Sequence, residues 1–370
     1  MYTQRGQVMD LIKKITFKKE SEINFNSVFK ERVDAYFTEK NLDYGANNSM
    51  YFKSITLFGI FSVSYLMLLL NIWNGWWFLA SFSIMGFMVA VASINIAHDG
   101  LHRSYLSSPV GNRILGFFMD MCGKSSFFWG KEHTVDHHTY TNIPGHDKDL
   151  QLSNSVIRLC PNANYHFFHR YQNWYAPLLY GLHPLTWTYT EFVDACHIII
   201  QRRAAGKKLP IFELSSLVFF KLLYIILFFV IPKEVTSLTW MQIILGNFCS
   251  LFTTGLVLAA IFQMAHIVEN ISFPTPNEEG QMENNYIRHQ LNTTSNFATN
   301  SKFIAYLFGG LNFQIEHHLF PYLSHIHLYN IAPIVKATAK ELGLPYKEYP
   351  TYWAALKSHF RMLKKLGKKI

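Results

Sequence analysis

Charged residues are scarce in this sequence. Asp, Glu, Lys and Arg make up 15% of its 370 residues, whereas an average soluble domain has about 25%. Half of the residues are hydrophobic and 16% are aromatic, and the mean hydropathy is just above zero, at +0.08. This composition argues against an ordinary soluble enzyme. It indicates a membrane protein that also has sizeable aqueous parts.

Closely spaced cysteines and an N-terminal secretion signal are also lacking. The four cysteines are far apart and form no CxxC motif: Cys122, Cys160, Cys196 and Cys249. The spacing argues against a zinc ribbon or a thioredoxin-like site, and it is typical of a reducing compartment. The first twenty residues contain no continuous apolar run, so we expect no secretory signal peptide.

Four long hydrophobic runs are present, at residues 54–73, 76–97, 212–231 and 240–265. Each is long enough to cross a bilayer, which takes about 20 helical residues. The connection within each pair is short, so the runs predict two helical hairpins. We therefore predict an all-α membrane protein with four transmembrane helices and a helical cap. Its expected parts are an N-terminal segment at 1–53, a domain at 54–350 and a basic tail at 351–370.

Lysine and arginine are distributed unevenly around these runs. Of the 33 basic residues, all but Lys221 and Lys233 lie before the first run, between the two hairpins or after the last run. Because basic residues remain in the cytosol, we expect both termini and the cap to be cytosolic. The net charge of +9 forms no single patch, so no nucleic-acid partner is expected. We interpret Lys221, inside the third run, as a snorkelling side chain; the alternative is a group that faces the protein interior.

Histidines form three spaced groups and one isolated site. The groups are HDGLH with His98 and His102, HTVDHH with His133, His137 and His138, and QIEHH with His317 and His318; the isolated site is His266, at the end of the fourth run. On a helix, residues four apart share one face, so the first two groups can each converge on a metal. Eight imidazoles exceed the shell of one tetrahedral zinc. Two metal ions that accept imidazole, at the cytosolic face, are the simplest interpretation.

The sequence resembles the membrane fatty acid desaturases, especially the branch of front-end and linoleoyl-CoA desaturases. The resemblance rests on HDGLH, WGKEHTVDHHTYTN and FQIEHHLFP, and on FQMAHIVE and RHQLNTTSNF. It covers residues from about 50 to 350. It implies O₂-dependent desaturation of a fatty acyl chain, as acyl-CoA or acyl-lipid and with Delta-6-like position, at a non-haem centre of two iron ions. The eight histidines above would be the iron ligands.

The resemblance also suggests roles for neighbouring residues. Gln314 would be a weak ligand or a shaping residue. Independently of the resemblance, carboxylates beside the ligands could orient them through the second ring nitrogen or could be solvated charges: Asp99, Glu132, Asp136, Glu269 and Glu316. Thr141 and Asn142 could position the substrate or cap a helix, and Trp129 could line a substrate tunnel or be an ordinary packing residue. Asn173 stands where relatives often have histidine, so its role is open. No HPGG motif of a haem domain is present, and we expect a separate electron donor of ferredoxin or cytochrome type.

Three alternatives remain open from the sequence. A lipid hydroxylase or sphingolipid desaturase could use the same scaffold. A transition-metal transporter is disfavoured because no ionisable ligands lie at mid-membrane. A non-catalytic lipid-binding relative is disfavoured because the three histidine groups are intact.

Overall fold

The computed structural model describes residues 15–19, 24–70, 75–151 and 156–369 of the chain. The first part contains α1 (Phe25–Lys40), α2 (Asn48–Leu69), α3 (Gly75–Leu101), α4 (Pro109–Met121), α5 (Ser126–Gly130) and α6 (His138–Tyr140). A π-helical turn at Lys131–His137 joins α5 to α6. The middle part contains α7 (Gln172–Leu182), α8 (Trp187–Ala204), α9 (Ile211–Val235) and α10 (Trp240–His266).

The last part is helical with one short sheet. It contains α11 (Tyr286–Thr293), α12 (Lys302–Leu307), α13 (Gln314–Leu319), α14 (Leu328–Glu341) and α15 (Tyr352–Leu366). Strands β1 (Asn296–Phe297) and β2 (Glu348–Tyr349) pair in parallel, so they attach the region after α14 to the region after α11. Single 3₁₀ turns lie at Asp149–Gln151, Phe167–Tyr171, His183–Thr186 and His325–His327.

Four helices in the described residues are long and apolar enough to span a membrane: α2, α3, α9 and α10. They confirm the prediction of a four-helix membrane protein. The connection between α2 and α3 was predicted to be a tight turn, but residues 71–74 lie outside the described part of the chain. The division into 1–53, 54–350 and 351–370 remains a prediction.

Helices α3 and α10 form the centre of the membrane region. Gly86 lies directly against α10, and a Cβ added there would be 2.1 Å from the Ser250 carbonyl oxygen. Thr254 donates a hydrogen bond to the Gly86 carbonyl at 2.9 Å. Small residues at such a contact allow two membrane helices to approach closely. The close packing brings the C-terminal ends of α3 and α10, which carry His98 and His266, to the same side of the bundle.

Lys221 lies about 15 Å along the axis of α9 from its first residue, given 1.5 Å per residue. Its ammonium donates to the Gly123 carbonyl at 2.7 Å and lies 2.8 Å from Glu191 Oε2. The side chain is 12% exposed. The snorkelling interpretation of Lys221 is therefore wrong. The amine faces the protein interior, because a buried carboxylate on α8 pairs with it.

The helical cap has a core of its own and also packs against a membrane helix. Helices α1 and α14 pack together with α13 around Phe29, Val33 and Val335. Helix α15 packs against α7 and α10, and its buried residues include His359 and Leu363. The predicted basic tail is thus for the most part a packed helix.

Candidate metal centre

The first histidine group lies at the end of a membrane helix. Helix α3 widens into a π-helical turn at Ser93–Ala97. It then ends with the α-helical turn His98–Leu101. Such π-turns are frequent at functional sites. His98 is buried, His102 is half-buried, and their ring centroids are 4.6 Å apart. His98 and His102 were predicted to lie on one face of a helix, and their rings do lie side by side.

The second group lies on the π-helical turn Lys131–His137, which alters the expected pairing. An α-helix would pair His133 with His137, four residues apart. In the structure, His133 and His138 bring their Nε2 atoms to 3.3 Å, because a π-turn aligns residues five apart. The rings of His133 and His137 still stack, with centroids 5.4 Å apart. The wider turn therefore directs all three rings toward the cluster.

The third group and His266 close the cluster from the other side. Helix α13 carries His317 and His318, both buried, and α10 ends at His266. The ring of His317 lies 4.7 Å from that of His98, whereas the ring of His318 lies 4.9 Å from that of His266. Adjacent positions on one helix thus face two different partners, as the HH spacing predicts.

The histidines form two neighbouring sets that could each hold a metal ion. The first set is His98, His102, His133 and His317; the second is His137, His266 and His318. Within each set, one nitrogen per ring lies within 4.8 Å of the others. His138 lies between the sets, with its ring 4.6 Å from His317 and 4.3 Å from His318. A third, overlapping set joins His133 and His137 to Asp149.

The ring nitrogens of this cluster match a metal centre. Within this cluster, the buried Nε2 atoms of five rings have no hydrogen-bond partner: His102, His137, His266, His317 and His318. A buried polar atom without a partner costs about 1–3 kcal/mol. Five such atoms in one cluster require compensation, and coordination to metal ions provides it. The Nε2 atoms of His98 and His133 also face each other, at 3.1 Å.

The protonation states agree with metal binding. Burial and the neighbouring imidazoles lower the pKa of five rings well below 6.5: His102, His133, His138, His317 and His318. Neutral imidazole is the form that binds a metal. His137 differs, because Asp147 and Asp149 outweigh the effect of burial and raise its pKa to about 9.

The second set of histidines is oriented by residues that the sequence alone did not reveal. Asp147 Oδ1 lies 3.1 Å from His137 Nδ1. Gln290 Oε1 lies 3.0 Å from His318 Nδ1, and the Thr293 carbonyl lies 3.3 Å from His266 Nδ1. In each ring Nδ1 is held, so Nε2 is left for a metal. Gln290 and Thr293 belong to RHQLNTTSNF, which carried part of the resemblance, but nothing in their spacing indicated these contacts.

Thr141 and Asn142 also contact the histidine segments. The Thr141 hydroxyl donates to the His137 carbonyl at 2.8 Å and lies 3.2 Å from His318 Nδ1. The Asn142 side chain donates to the His266 carbonyl at 2.9 Å. These contacts connect the second, third and isolated histidine sites. The two residues therefore support the cluster, and their role in substrate positioning remains a prediction.

The predicted acidic neighbours lie in different surroundings. Asp99 Oδ1 is 3.8 Å from His98 Nδ1. Glu316 is buried and accepts hydrogen bonds from Asn296 and Tyr346, and burial raises its pKa to about 7. Glu269 pairs with Arg361 at 2.7 Å. Of these three carboxylates, Asp99 alone lies within 4 Å of a predicted ligand's ring nitrogen, according to the contacts of the described residues.

Three further predicted residues are half-buried. Glu132 and Asp136 lie on the π-helical turn, and Glu132 is 3.7 Å from Lys124. Asn173 is half-buried on α7. Neither of the two carboxylates belongs to a metal-binding set among the described residues.

Gln314 and Trp129 adjoin the cluster directly. Gln314 is buried at the start of α13. The indole of Trp129 stacks on His133, with centroids 4.4 Å apart and planes 8° from parallel. Trp129 is half-buried, so it forms part of the wall around the first histidine set.

Comparison with known proteins agrees with this site. The family model for fatty acid desaturase matches residues 74–350. The sn-1 linoleoyl-lipid 6-desaturase of Synechocystis is 34% identical over 93% of this chain and 96% of its own length. The enzyme of the same name from Arthrospira platensis is 31% identical over 96% of this chain and 95% of its own. The acyl-lipid (8-3)-desaturase of Physcomitrium patens is 34% identical over 97% of this chain and 75% of its own.

The matched range contains all three histidine groups and His266, and the family acts on fatty acyl groups with O₂. Four membrane helices, two buried histidine sets and the matched relatives point to the same chemistry, and they disfavour the hydroxylase, transporter and lipid-binding alternatives. The chain belongs to the fatty acid desaturase family and is an oxidoreductase of its front-end branch.

Proposed function

We propose that the chain holds two iron ions and uses them to desaturate the acyl chain of a membrane lipid near its carboxyl end. His98, His102, His133 and His317 would bind one iron, and His137, His266 and His318 the other. His138 would complete the pair from its position between the two sets. The observation that carries this proposal is the cluster of buried Nε2 atoms without hydrogen-bond partners.

The irons would supply the reduction of O₂ that removes two hydrogens from neighbouring methylene carbons, chemistry that no amino-acid side chain performs. The protein supplies orientation and exclusion of water. Asp147, Gln290 and the Thr293 carbonyl hold Nδ1 of three rings, so those rings keep one direction. The stacked Trp129 shields His133 and offers an apolar surface for the acyl chain. The stacking of Trp129 on a predicted ligand supports this substrate-positioning role.

The substrate we favour is an acyl group within a glycerolipid, desaturated at the sixth carbon. Support comes from two relatives named sn-1 linoleoyl-lipid 6-desaturase, which match almost end to end. A third relative is also named an acyl-lipid desaturase. A free acyl-CoA substrate is the alternative, and product analysis separates the two.

The electrons would come from a separate protein of ferredoxin or cytochrome type that docks on the cytosolic face. The basic residues support this orientation, because all but Lys53, Lys221 and Lys233 lie on segments outside the four spans, before the first hairpin, between the hairpins or after the second. A net charge of +9 favours an electron donor with an acidic surface.

The direct experiment is expression in cells that lack the product, with analysis of each lipid class by mass spectrometry. We expect a new double bond in glycerolipid acyl chains and two irons per purified chain. His317→Ala should abolish the product and lower the iron content while the protein still inserts in the membrane. His197→Ala, at an exposed position on α8, is the control and should retain activity.

Three outcomes would contradict the proposal. Full activity of the His317→Ala variant would remove the ligand assignment. Addition of oxygen without a new double bond would make the chain a hydroxylase. New double bonds confined to acyl-CoA would overturn the choice of a glycerolipid substrate.

A further inference from the structure

His325 lies between two buried charges outside the two histidine sets. It begins the 3₁₀ turn His325–His327, shortly after the third histidine group. Its Nε2 is 2.9 Å from the Lys53 ammonium, and its Nδ1 is 3.0 Å from Asp99 Oδ1. An ammonium can only donate, so Nε2 must accept and the ring proton lies on Nδ1, facing Asp99. The hydrogen bond from Lys53 thus fixes which side of the ring faces Asp99, and the approach of Nδ1 to Asp99 is an electrostatic contact.

Lys53 is an unusual residue for its position. It lies within the membrane helix α2 and is 1% exposed, and its ammonium is 4.5 Å from the ring centroid of Tyr306. A charged residue at the centre of a membrane helix costs about 2.5–3.5 kcal/mol on insertion scales, and less near the helix ends, where Lys53 lies. Because Lys53 is buried in protein, its charge still needs a partner. The carboxylate of Asp99, reached through His325, compensates its charge.

Asp99 is held firmly by the same segment. Its Oδ2 accepts from the Ser324 hydroxyl at 2.8 Å and from the backbone N–H of His325 at 3.1 Å. Its Oδ1 faces His325 and also lies 3.8 Å from Nδ1 of His98, which is an electrostatic contact longer than a hydrogen bond. The opposite nitrogen of His98, Nε2, faces His133 within the first set. Asp99 therefore lies on the side of His98 that points away from the metal position.

We infer that Lys53 and His325 are positioning residues for the first metal position, acting through Asp99 on His98. This inference rests on the proposed function, because it requires a metal at the first histidine set. Carboxylates commonly orient a ligating histidine through its second nitrogen. Here the carboxylate is itself fixed by an imidazole and a lysine from two other segments. The chain thereby makes the geometry of one metal position depend on contact between α2, α3 and the segment after α13.

The test compares substitutions at Lys53 and His325 with a matched lysine. Lys53→Met and His325→Leu each break the chain of contacts at one link. Lys302→Met is the control, since the Lys302 ammonium also lies over a tyrosine ring, 5.7 Å from the centroid of Tyr329, but outside this chain of contacts. The readouts are iron affinity by chelator competition, the Mössbauer spectrum of the iron-loaded protein, and lipid products.

We expect His325→Leu to weaken iron binding at one of the two positions by about 10–100-fold, the usual effect of removing such a support. The Mössbauer signal of that position should change while the other stays. Lys53→Met should act on the same position in the same direction, and the double variant should be no weaker than His325→Leu. His325→Gln should restore the wild-type signal, because its amide can accept from Lys53 and donate to Asp99.

Two results would overturn the inference. One is unchanged iron affinity and an unchanged spectrum in Lys53→Met and His325→Leu, even if both variants melt at lower temperature. The other is additive losses in the double variant, which would show that the residues act separately. A wild-type chain that binds fewer than two irons would instead refute the proposed function, and the positioning role with it.

Discussion

Lys221 in membrane helix α9 and Glu191 in α8 form a buried ion pair, with Nζ and Oε2 2.8 Å apart. Glu191 also accepts from the backbone N–H of Ser125 at 2.9 Å, and its Oε1 lies 3.4 Å from Lys124. One carboxylate thus joins α9 to the turn between α4 and α5. The side chain of Glu191 is only 1% exposed, so its charge depends on these partners.

Removal of the Lys221 charge should destabilise the fold. Lys221→Met leaves Glu191 with one buried cation fewer, and breaking a buried pair typically costs about 3–5 kcal/mol. The measurement is denaturant unfolding in detergent micelles. Lys233→Met, in the same helix, is the control and should change little. The double variant Lys221→Met/Glu191→Gln should lose less than the sum of the single changes, and strict additivity would show that the pair contributes nothing.

The sequence predicted the membrane helices closely but not this pair. The predicted span 240–265 corresponds to the helix Trp240–His266, and the predicted span 76–97 corresponds to Gly75–Leu101. The sequence reveals such spans because they depend on uninterrupted apolar length. The partner of Lys221 lies 30 positions away in a helix that the composition marked only as polar. Pairing across elements depends on tertiary packing, which local pattern does not contain.

The histidine cluster, too, was only partly predictable from the sequence. Three groups with recurring spacing were visible in the sequence, and the structure brings all eight rings together. The supporting residues Asp147 and Gln290 were not visible, because each is an ordinary polar residue in a loop or short helix until folding places it on a ring. The π-helical turn at Lys131–His137 was equally hidden, since its residues have no distinct composition.

Gln290 offers a direct test of support for the second histidine set. Gln290→Leu removes the amide acceptor from Nδ1 of His318 and leaves the Thr141 hydroxyl, at 3.2 Å, as its remaining partner, so the direction of the ring is held less firmly. Iron affinity at one position should fall by about 10–100-fold, measured by chelator competition. Gln281→Leu, at an exposed glutamine, is the control. Equal affinities of the two variants would show that His318 does not need this amide.

The contact between α3 and α10 predicts a sharp difference between two glycines of the membrane helices. At Gly86 an added Cβ would lie 2.1 Å from the Ser250 carbonyl oxygen, whereas at Gly59 it would meet nothing within 4 Å. Gly86→Ala must therefore push the helices apart, at a cost of about 1–3 kcal/mol. Gly59→Ala should be neutral or stabilising by up to about 1 kcal/mol. Thermal unfolding in micelles measures both, and similar melting temperatures would refute the close approach.

A displaced α10 should also disturb the metal centre, since α10 ends at His266. Gly86→Ala is thus expected to reduce iron content as well as stability. Gly59→Ala should leave iron content unchanged. A Gly86→Ala variant that is less stable but binds both irons normally would show that the ends of the helices adjust independently of their middle.

His359 predicts a pH dependence of stability that does not involve the histidine cluster. Its Nδ1–H donates to the Ile267 carbonyl at 2.8 Å and its Nε2 lies 3.2 Å from the Tyr180 hydroxyl, so the buried ring is neutral. Burial lowers its pKa from 6.5 to about 4. In that window the unfolded chain binds the proton and the folded chain does not. Stability must therefore fall as the pH drops from 6.5 toward 4, by up to about 1.4 kcal/mol per pH unit from this group.

The variant His359→Gln separates this contribution from other titrating groups. Near pH 7 it should be less stable than the wild type, because the hydrogen bonds of the ring are altered. As the pH falls below 6.5 the difference should shrink, since only the wild type has a proton to exclude at this position. Unfolding free energies of both proteins across this range measure the effect. A difference that stays constant with pH would mean that the ring of His359 is protonated as easily in the folded chain as in the unfolded one.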